Sequence, residues 1–460
     1  MTSENNVTPT RRDVIKVAGG VVATSALSGI TLPNAHAAGN DLIQVAFVGC
    51  GGRGSGAARN ALSTTSGPIK IIAMADAFED RLTASYNNLM ASEVASKMDV
   101  PANHRFVGYD AYKKAMDLLK PGDVVILTTP PAFRWVHFTY AIEKKLNVFM
   151  EKPVTVDGPT SRKMLQLAEL ATAKNLKVGV GLMSRHSRPM QELAKRIHGG
   201  ELGDITLMRG YRMHGPGGSF QSAPKPANIP ETEYQIRRFH SFLWASGGNF
   251  SDFYIHLIDH LSWMKNDWPV KAQGVGGRHY KTSPEGVPWV DQNFDSYSVE
   301  YTYKDGTKFF FDGRCMNGAQ GIYSSYVHGT KGTAIVSRAN DIGRPSAIYK
   351  TKDFSGDPAW QSTDASDPYQ NEWDELILAI RNNKPYNEVK RGVECSLVTS
   401  MGRMAVHTGM EVSYDQILNG DHEFAPGLDK LTADSPAPLI SDAKGFYPRP
   451  QPGIVTNREY

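Results

Sequence analysis

The sequence predicts an α/β protein. Its N-terminal half is a doubly wound parallel sheet, followed by an α+β half built on a large, open, mostly antiparallel sheet. Three observations predict this. Over residues 42–182 short apolar runs alternate with helical stretches, the rhythm of a parallel sheet with crossover helices. The first run leads into a glycine-rich turn, Gly49-Cys50-Gly51-Gly52-Arg53-Gly54. Beyond residue 200, runs of period-two alternation recur at 205–211, 270–280, 294–303, 308–314 and 322–329, as in strands with one face exposed.

The chain starts with a leader. Thr10-Arg11-Arg12-Asp13-Val14-Ile15-Lys16 precedes a mild apolar run over 17–32, and Ala35-His36-Ala37 offers small residues for cleavage. This is the layout of a twin-arginine export signal over residues 1–37, addressed to the twin-arginine machinery and to the periplasm or beyond. The run is too short and glycine-rich to serve as a stable membrane anchor. In the chain as a whole, 50 Lys+Arg face 47 Asp+Glu with no basic tract, which argues against a nucleic-acid partner and for a small molecule. Cys50, Cys315 and Cys395 lack zinc-ligand spacing and read as buried small residues.

Residues 42–48 form the first strand, and 55–63 the helix after the glycine turn. In Gly-x-Gly-x-x-Gly the first glycine permits the tight turn. The second lets a pyrophosphate approach the backbone, and the third allows close helix–strand packing. The helix N-terminus adds free N–H groups for the phosphates. The whole loop, Gly49, Gly51, Gly52, Arg53 and Gly54, is therefore the candidate dinucleotide cradle. A second strand, 69–75, ends in Asp76, 22 residues after Gly54. A carboxylate there accepts from a ribose 2′-hydroxyl and repels a 2′-phosphate, which favours NAD over NADP. A helix over 110–119, a strand over 123–127 ending in Thr128-Thr129-Pro130-Pro131, and a helix over 134–145 follow. The next strand, 146–150, ends in Glu151-Lys152-Pro153. Side chains at the carboxyl end of such a strand face the ligand crevice, where Lys152 can act on a reacting oxygen. A helix over 159–175 and a strand over 176–182 complete this half.

In the second half, residues 247–259 read as a helix carrying Asp252, His256 and Asp259. Positions i and i+4 share a face, so Asp252 can orient His256 as a general base. Asp252, His256, Asp259 and His260 could instead hold a metal at helical spacing. With no further ligand cluster and Lys152 nearby, no metal is expected. The loop 214–230 covers the site or makes a subunit contact. The stretch 234–244 either lines a sugar pocket or is plain core. Helices are expected over 369–382 and 393–409. The tail 434–460 carries five prolines and wraps the surface.

These motifs resemble the glucose–fructose oxidoreductase/inositol dehydrogenase (Gfo/Idh/MocA) family. The matching residues are Gly49, Gly51 and Gly54, Asp76, Thr129-Pro130 with His137 beyond, Glu151-Lys152-Pro153, the strand end at 181–186 with Arg185, and Asp252-x-x-x-His256. The resemblance implies a Rossmann domain (38–182) and a substrate and oligomerisation domain (183–433), with the tail beyond. It implies a bound nicotinamide cofactor, catalytic roles for Lys152, Asp252 and His256, and a homodimer or homotetramer. Cofactor contacts are expected from the glycine loop, Asp76, Thr129, Pro130, His137, Glu151 and Lys152, and substrate contacts from Arg185 and Asp259. The expected activity is hydride transfer between a sugar or polyol carbon and a tightly held NAD, which export of the folded protein would carry along. A redox-assisted glycosidase and a non-catalytic sugar-binding protein on the same fold are the alternatives.

Overall fold

In the computed structural model, parallel strands form the first sheet: β1 (Ile43–Val48), β2 (Ile69–Asp76), β3 (Arg105–Val107), β4 (Val124–Leu127), β5 (Asn147–Met150) and β6 (Val178–Val180). Their order is β3-β2-β1-β4-β5-β6. Each neighbouring pair is parallel. The helices between them are α1 (Gly52–Ser63), α2 (Glu79–Met90), α3 (Ala111–Met116), α4 (Arg134–Glu143) and α5 (Gly158–Ala173). Helices cover both faces, so β4 and β5 are buried throughout, which is why they read as unbroken apolar runs. The order reverses between β1 and β4, and the crevice at their carboxyl ends is where such sheets take ligands. The described residues are 41–340 and 342–460, so the leader expected over 1–37 lies outside them.

The second sheet is mixed. After α6 (Arg188–His198) comes β7 (Ile205–His214), then α7 (Glu231–Arg237), α8 (Leu243–Ser246) and α9 (Gly248–Lys265). The remaining strands are β8 (Lys271–Gly277), β9 (Ser296–Thr302), β10 (Lys308–Cys315), β11 (Ile322–Gly329), β12 (Gly332–Arg338), β13 (Ala347–Tyr349), β14 (Trp360–Gln361) and β15 (Val412–Ser413). They lie in the order β14-β13-β12-β11-β7-β10-β9-β8-β15. Among the described residues only β7 and β10 pair in parallel. The alternation is plain in β10, where Phe309, Phe311, Gly313 and Cys315 are buried and the residues between them are half-exposed. Helix α9 packs on the covered face. Leu257 and Leu261 close over Gly210 of β7, where an added Cβ would lie 3.3 and 3.2 Å from them.

Helices α10 (Pro368–Arg381) and α11 (Val389–Thr408) return to the first half. Trp373 of α10 stacks on Phe149 of β5 with ring centroids 4.4 Å apart. One hydrophobic cluster runs from Ala46 in β1 to Tyr447 in the tail, so the two halves share a core. The tail does more than wrap the surface. Glu459 is buried, and its carboxylate accepts from Arg403 at 2.9 Å and from His407 at 2.6 Å.

Candidate active site

The glycine loop has the geometry its spacing implies. Gly49 sits at φ +96, and a Cβ there would lie 2.5 Å from the Thr129 nitrogen. A Cβ on Gly54 would lie 2.3 Å from the Gly49 carbonyl oxygen. At Gly51 and Gly52 a Cβ would meet nothing within 4 Å, so the loop is open on the side where a phosphate would approach. Gly51 is the N-cap of α1, so the free N–H groups of that helix face the same space.

Asp76 stands at the end of β2 with both oxygens engaged. Oδ2 accepts the Cys50 N–H at 2.6 Å and Oδ1 the Phe78 N–H at 2.9 Å. Burial nevertheless raises its carboxyl above the ordinary range. Each oxygen keeps a further lone pair for a ribose hydroxyl. Thr129 lies just beyond β4, across β1 from β2, and its Oγ1 lies 3.1 Å from His137 Nδ1. Burial, then the charge of Arg134, pushes His137 down to about 3, so its ring is neutral. Arg134 was not foreseen. It is fully buried and donates to the carbonyls of Leu127 and Thr129.

Glu151 and Lys152 diverge from the end of β5. Glu151 turns toward the glycine loop and accepts from Arg53 Nε at 2.6 Å. Lys152 turns toward α9, where its Nζ donates to the Asp252 carbonyl at 2.6 Å and lies 3.6 Å from Asp252 Oδ1. The Lys152–Pro153 peptide is cis. Burial works against the Asp252 charge, but Lys152 and a contact from His240 outweigh it and hold the carboxyl well below its usual range. His256 lies one turn further along α9. Burial, then Lys152, keeps that imidazole far below its usual value, hence neutral.

A cavity of about 650 Å³ joins these groups. It runs past Gly49 to Gly54, Asp76, Thr129, Pro130 and His137 to Glu151, Lys152 and Asp252. Its volume suits a sizeable ligand. Gly218, Ser219 and residues 236–240 complete the wall. The stretch 234–244 is divided between core and cavity wall. Trp244 is core, its indole donating to Gln235 at 2.8 Å, while His240 faces the cavity. Local sequence carries no signal for His240, because its partner is twelve residues away on another element.

Three expected site residues are not on this wall. His256 is adjacent to the Lys152–Asp252 pair but is not among the lining residues. Arg185 and Asp259, expected to hold substrate, hold each other. Arg185 Nε reaches Asp259 at 2.9 and 3.1 Å and Nη2 at 2.8 Å, and neither residue lines the cavity. Their charges satisfy one another in a buried pair away from the cavity wall. The possible metal set is likewise dispersed: His260 Nε2 lies 2.8 Å from Ser325 Oγ, on the sheet side of α9. Among the described residues no group of three or more potential ligands converges. No helix among them is long and apolar enough to cross a membrane.

This geometry has relatives. Residues 43–182 match the Gfo/Idh/MocA oxidoreductase family, NAD-binding Rossmann fold. Inositol 2-dehydrogenase 4 of Saccharopolyspora erythraea is 37% identical over 86 residues, which are 19% of this chain and 25% of that protein. Inositol 2-dehydrogenase of Pseudarthrobacter chlorophenolicus is 28% identical over 137 residues, 28% of this chain and 40% of that one. The chain thus spans a quarter to two fifths of the length of these curated relatives. Across both halves the fold is shared with the aldose-aldose oxidoreductase of Caulobacter crescentus complexed with glycerol. That likeness has TM-score 0.60 and 14% identity, covering 81% of this chain and 100% of that one. Levoglucosan dehydrogenase in complex with NADH and levoglucosan has TM-score 0.60 and 16% identity, covering 82% and 100%. The residues present fit a dinucleotide: an open glycine cradle on a helix N-terminus, a carboxylate ending β2, and a cavity leading to a lysine.

Proposed function

We propose that the protein is an exported oxidoreductase that moves hydride between a hydroxyl-bearing carbon of a sugar or polyol and a tightly held nicotinamide dinucleotide, NAD rather than NADP. The observation that supports it best is the meeting of Lys152 and Asp252, from opposite halves of the chain, on the wall of the cavity that starts at the glycine loop. When bound, the nicotinamide supplies the hydride acceptor or donor. Gly49, Gly51, Gly52, Arg53 and Gly54 hold the pyrophosphate, Asp76 the adenosine ribose, and Thr129, Pro130, His137 and Glu151 the path between. Lys152 donates a hydrogen bond to the reacting oxygen and stabilises it as its proton leaves. Asp252 holds the ammonium of Lys152 in place. His256, neutral and one turn along α9 from Asp252, just behind the wall, is the base proposed to receive the hydroxyl proton once a substrate brings the two into reach. The dehydrogenase relatives support the choice of a polyol or sugar hydroxyl, and the twin-arginine pattern supports export with the nucleotide aboard. A homo-oligomer closing over the half-exposed face of the second sheet belongs to the same reading.

The test is mass spectrometry of the nucleotide retained by purified protein, followed by an absorbance screen with aldoses and inositols. NAD is the expected nucleotide, and Lys152→Ala should lower turnover by ~10²–10⁴ with nucleotide content unchanged. A Lys152→Ala protein that keeps wild-type turnover would overturn the reading. Aglycone release from aryl glycosides without net NADH would replace it with the glycosidase.

A further inference from the structure

The cavity wall carries an imidazole that the proposed reaction does not use. His240 lies in a short turn after α7, Phe239–Ser241. Its Nε2 is 3.2 Å from Asp252 Oδ2. Its Nδ1 accepts the backbone N–H of Ser219 at 3.2 Å and lies 3.1 Å from Ser219 Oγ. A ring nitrogen that accepts an N–H carries no hydrogen of its own, so the ring hydrogen is on Nε2 and points at the carboxylate. The ring is also clamped. Phe239 packs on it with centroids 3.8 Å apart. A Cβ on Gly218 would fall 2.7 Å from the ring, so the loop there has room for no side chain.

We propose that His240 is a positioning residue for the reaction: by donating Nε2–H to Asp252 Oδ2 it fixes the carboxylate whose other oxygen steadies Lys152. The inference rests on the reading of Lys152 and Asp252 as the reacting pair. Each Asp252 oxygen has its own partner, His240 from the loop side and Lys152 from the end of β5. The terminal torsion of an aspartate is broad, so a carboxylate held at one oxygen swings. With it swings the negative charge that stands 3.6 Å from Lys152 Nζ, whose own hydrogen bond goes to the Asp252 backbone carbonyl at 2.6 Å. The titratable groups that act on this carboxylate or feel it are Lys152 beyond β5, His240 after α7, His256 on its own helix and Arg134 on α4.

The experiment compares His240→Phe, which keeps the ring and removes the donor, with His240→Gln, which returns an N–H near the position of Nε2. Turnover is followed on the aldose or inositol that wild type uses fastest. A small misplacement at a reacting centre costs about 10²-fold. His240→Phe should therefore lose ~10²-fold in kcat with nucleotide content unchanged, and His240→Gln should recover at least a tenfold part of the loss. The acidic limb of the pH profile should move up in His240→Phe, because the carboxylate loses a donor that favours its charged form. A second arm needs no substrate. In 15N-histidine NMR of wild type, His240 should show the Nε2–H tautomer, with a resonance that moves in Asp252→Asn. Wild-type kcat in His240→Phe overturns the proposal. So does a Gln variant as poor as Phe with an unmoved pH profile, or an Nδ1–H tautomer. If instead Lys152→Ala keeps its turnover, the underlying reading of the site fails and not the His240 contact alone.

Discussion

The Arg185–Asp259 pair gives the sharpest test of what the structure changed. The perturbation is Asp259→Asn. Asp259 is 1% exposed and Arg185 11%, and two N–H groups, on Nε and Nη2, make three contacts with the carboxylate at 2.8 to 3.1 Å. Asparagine keeps one acceptor and turns an NH₂ toward a guanidinium that can only donate. Breaking a buried pair from one side costs ~3–5 kcal/mol, because the remaining charge is left uncompensated. The guanidinium also lies over Trp263 and Trp268, 5.0 and 6.0 Å from the ring centroids. That contact is made with and without the substitution, so it leaves the expected loss at ~3–5 kcal/mol. At ~2.1 cal/mol/K per residue, the unfolding entropy of a unit this size is about 0.9 kcal/mol/K, so Tm should fall by about 3–6 °C. Differential scanning calorimetry reads this directly, and nucleotide content should not change. Arg185→Met with Asp259→Leu removes both charges and should regain most of the loss. An Asp259→Asn protein that melts with wild type but shows a raised KM for the sugar would refute the structural role and restore the substrate-binding one.

Gly51→Ala should melt like wild type yet bind NAD at least tenfold more weakly, since its Cβ enters open space that only the nucleotide would fill. Gly54→Ala should lose ~1–3 kcal/mol or more even without nucleotide, since its Cβ meets the Gly49 carbonyl at 2.3 Å; equal melting of the two variants would contradict this. His186 is buried between Glu375 at 2.7 Å and Glu388 at 3.3 Å. Burial opposes its charge, but the two carboxylates win and push it up to about 10. Its folded value exceeds its unfolded one, so its stabilisation is full below pH ~6.5 and is lost as pH rises toward 10. Stability against denaturant should fall by up to ~5 kcal/mol across that window, and His186→Gln should flatten the slope; an unchanged slope would remove His186 as the cause.

The first sheet was legible because its strands are buried on both faces and bounded by turn residues, which makes each an unbroken apolar run. What was missed there, α2 and β3, is short or carries no apolar stripe. Helix α2 buries only Leu82, Ser85 and Leu89, and β3 has no buried residue. In the second half β10 and β11 were visible through their alternation. Strands β13 and β14, with three and two residues at one end of the sheet, are too short to show any period. The glycine loop, Asp76 and Lys152 could be read because each is fixed by its place at a strand end. His240 could not, since its position depends on a loop fold and on a partner in α9.

The remaining difficulty lies in α9 itself, where angular periodicity is a poor guide to function. At 100° per residue Asp252, His256, Asp259 and His260 fall within one arc of about 100°, so a helical wheel presents them as one polar stripe. Only Asp252 lines the cavity. The reason is axial. Each residue advances ~1.5 Å, which places Asp259 about 10 Å beyond Asp252, where the helix has already left the cavity for the interior. There a charge must be met by protein, and Asp259 is met by Arg185, His260 by Ser325. A stripe of polar residues on a helix that dives into a core thus changes chemistry along its length, from reacting group to buried pair. His256, one turn in, stands at the boundary, its neutral ring buried beside Lys152 and just behind the wall that Asp252 lines.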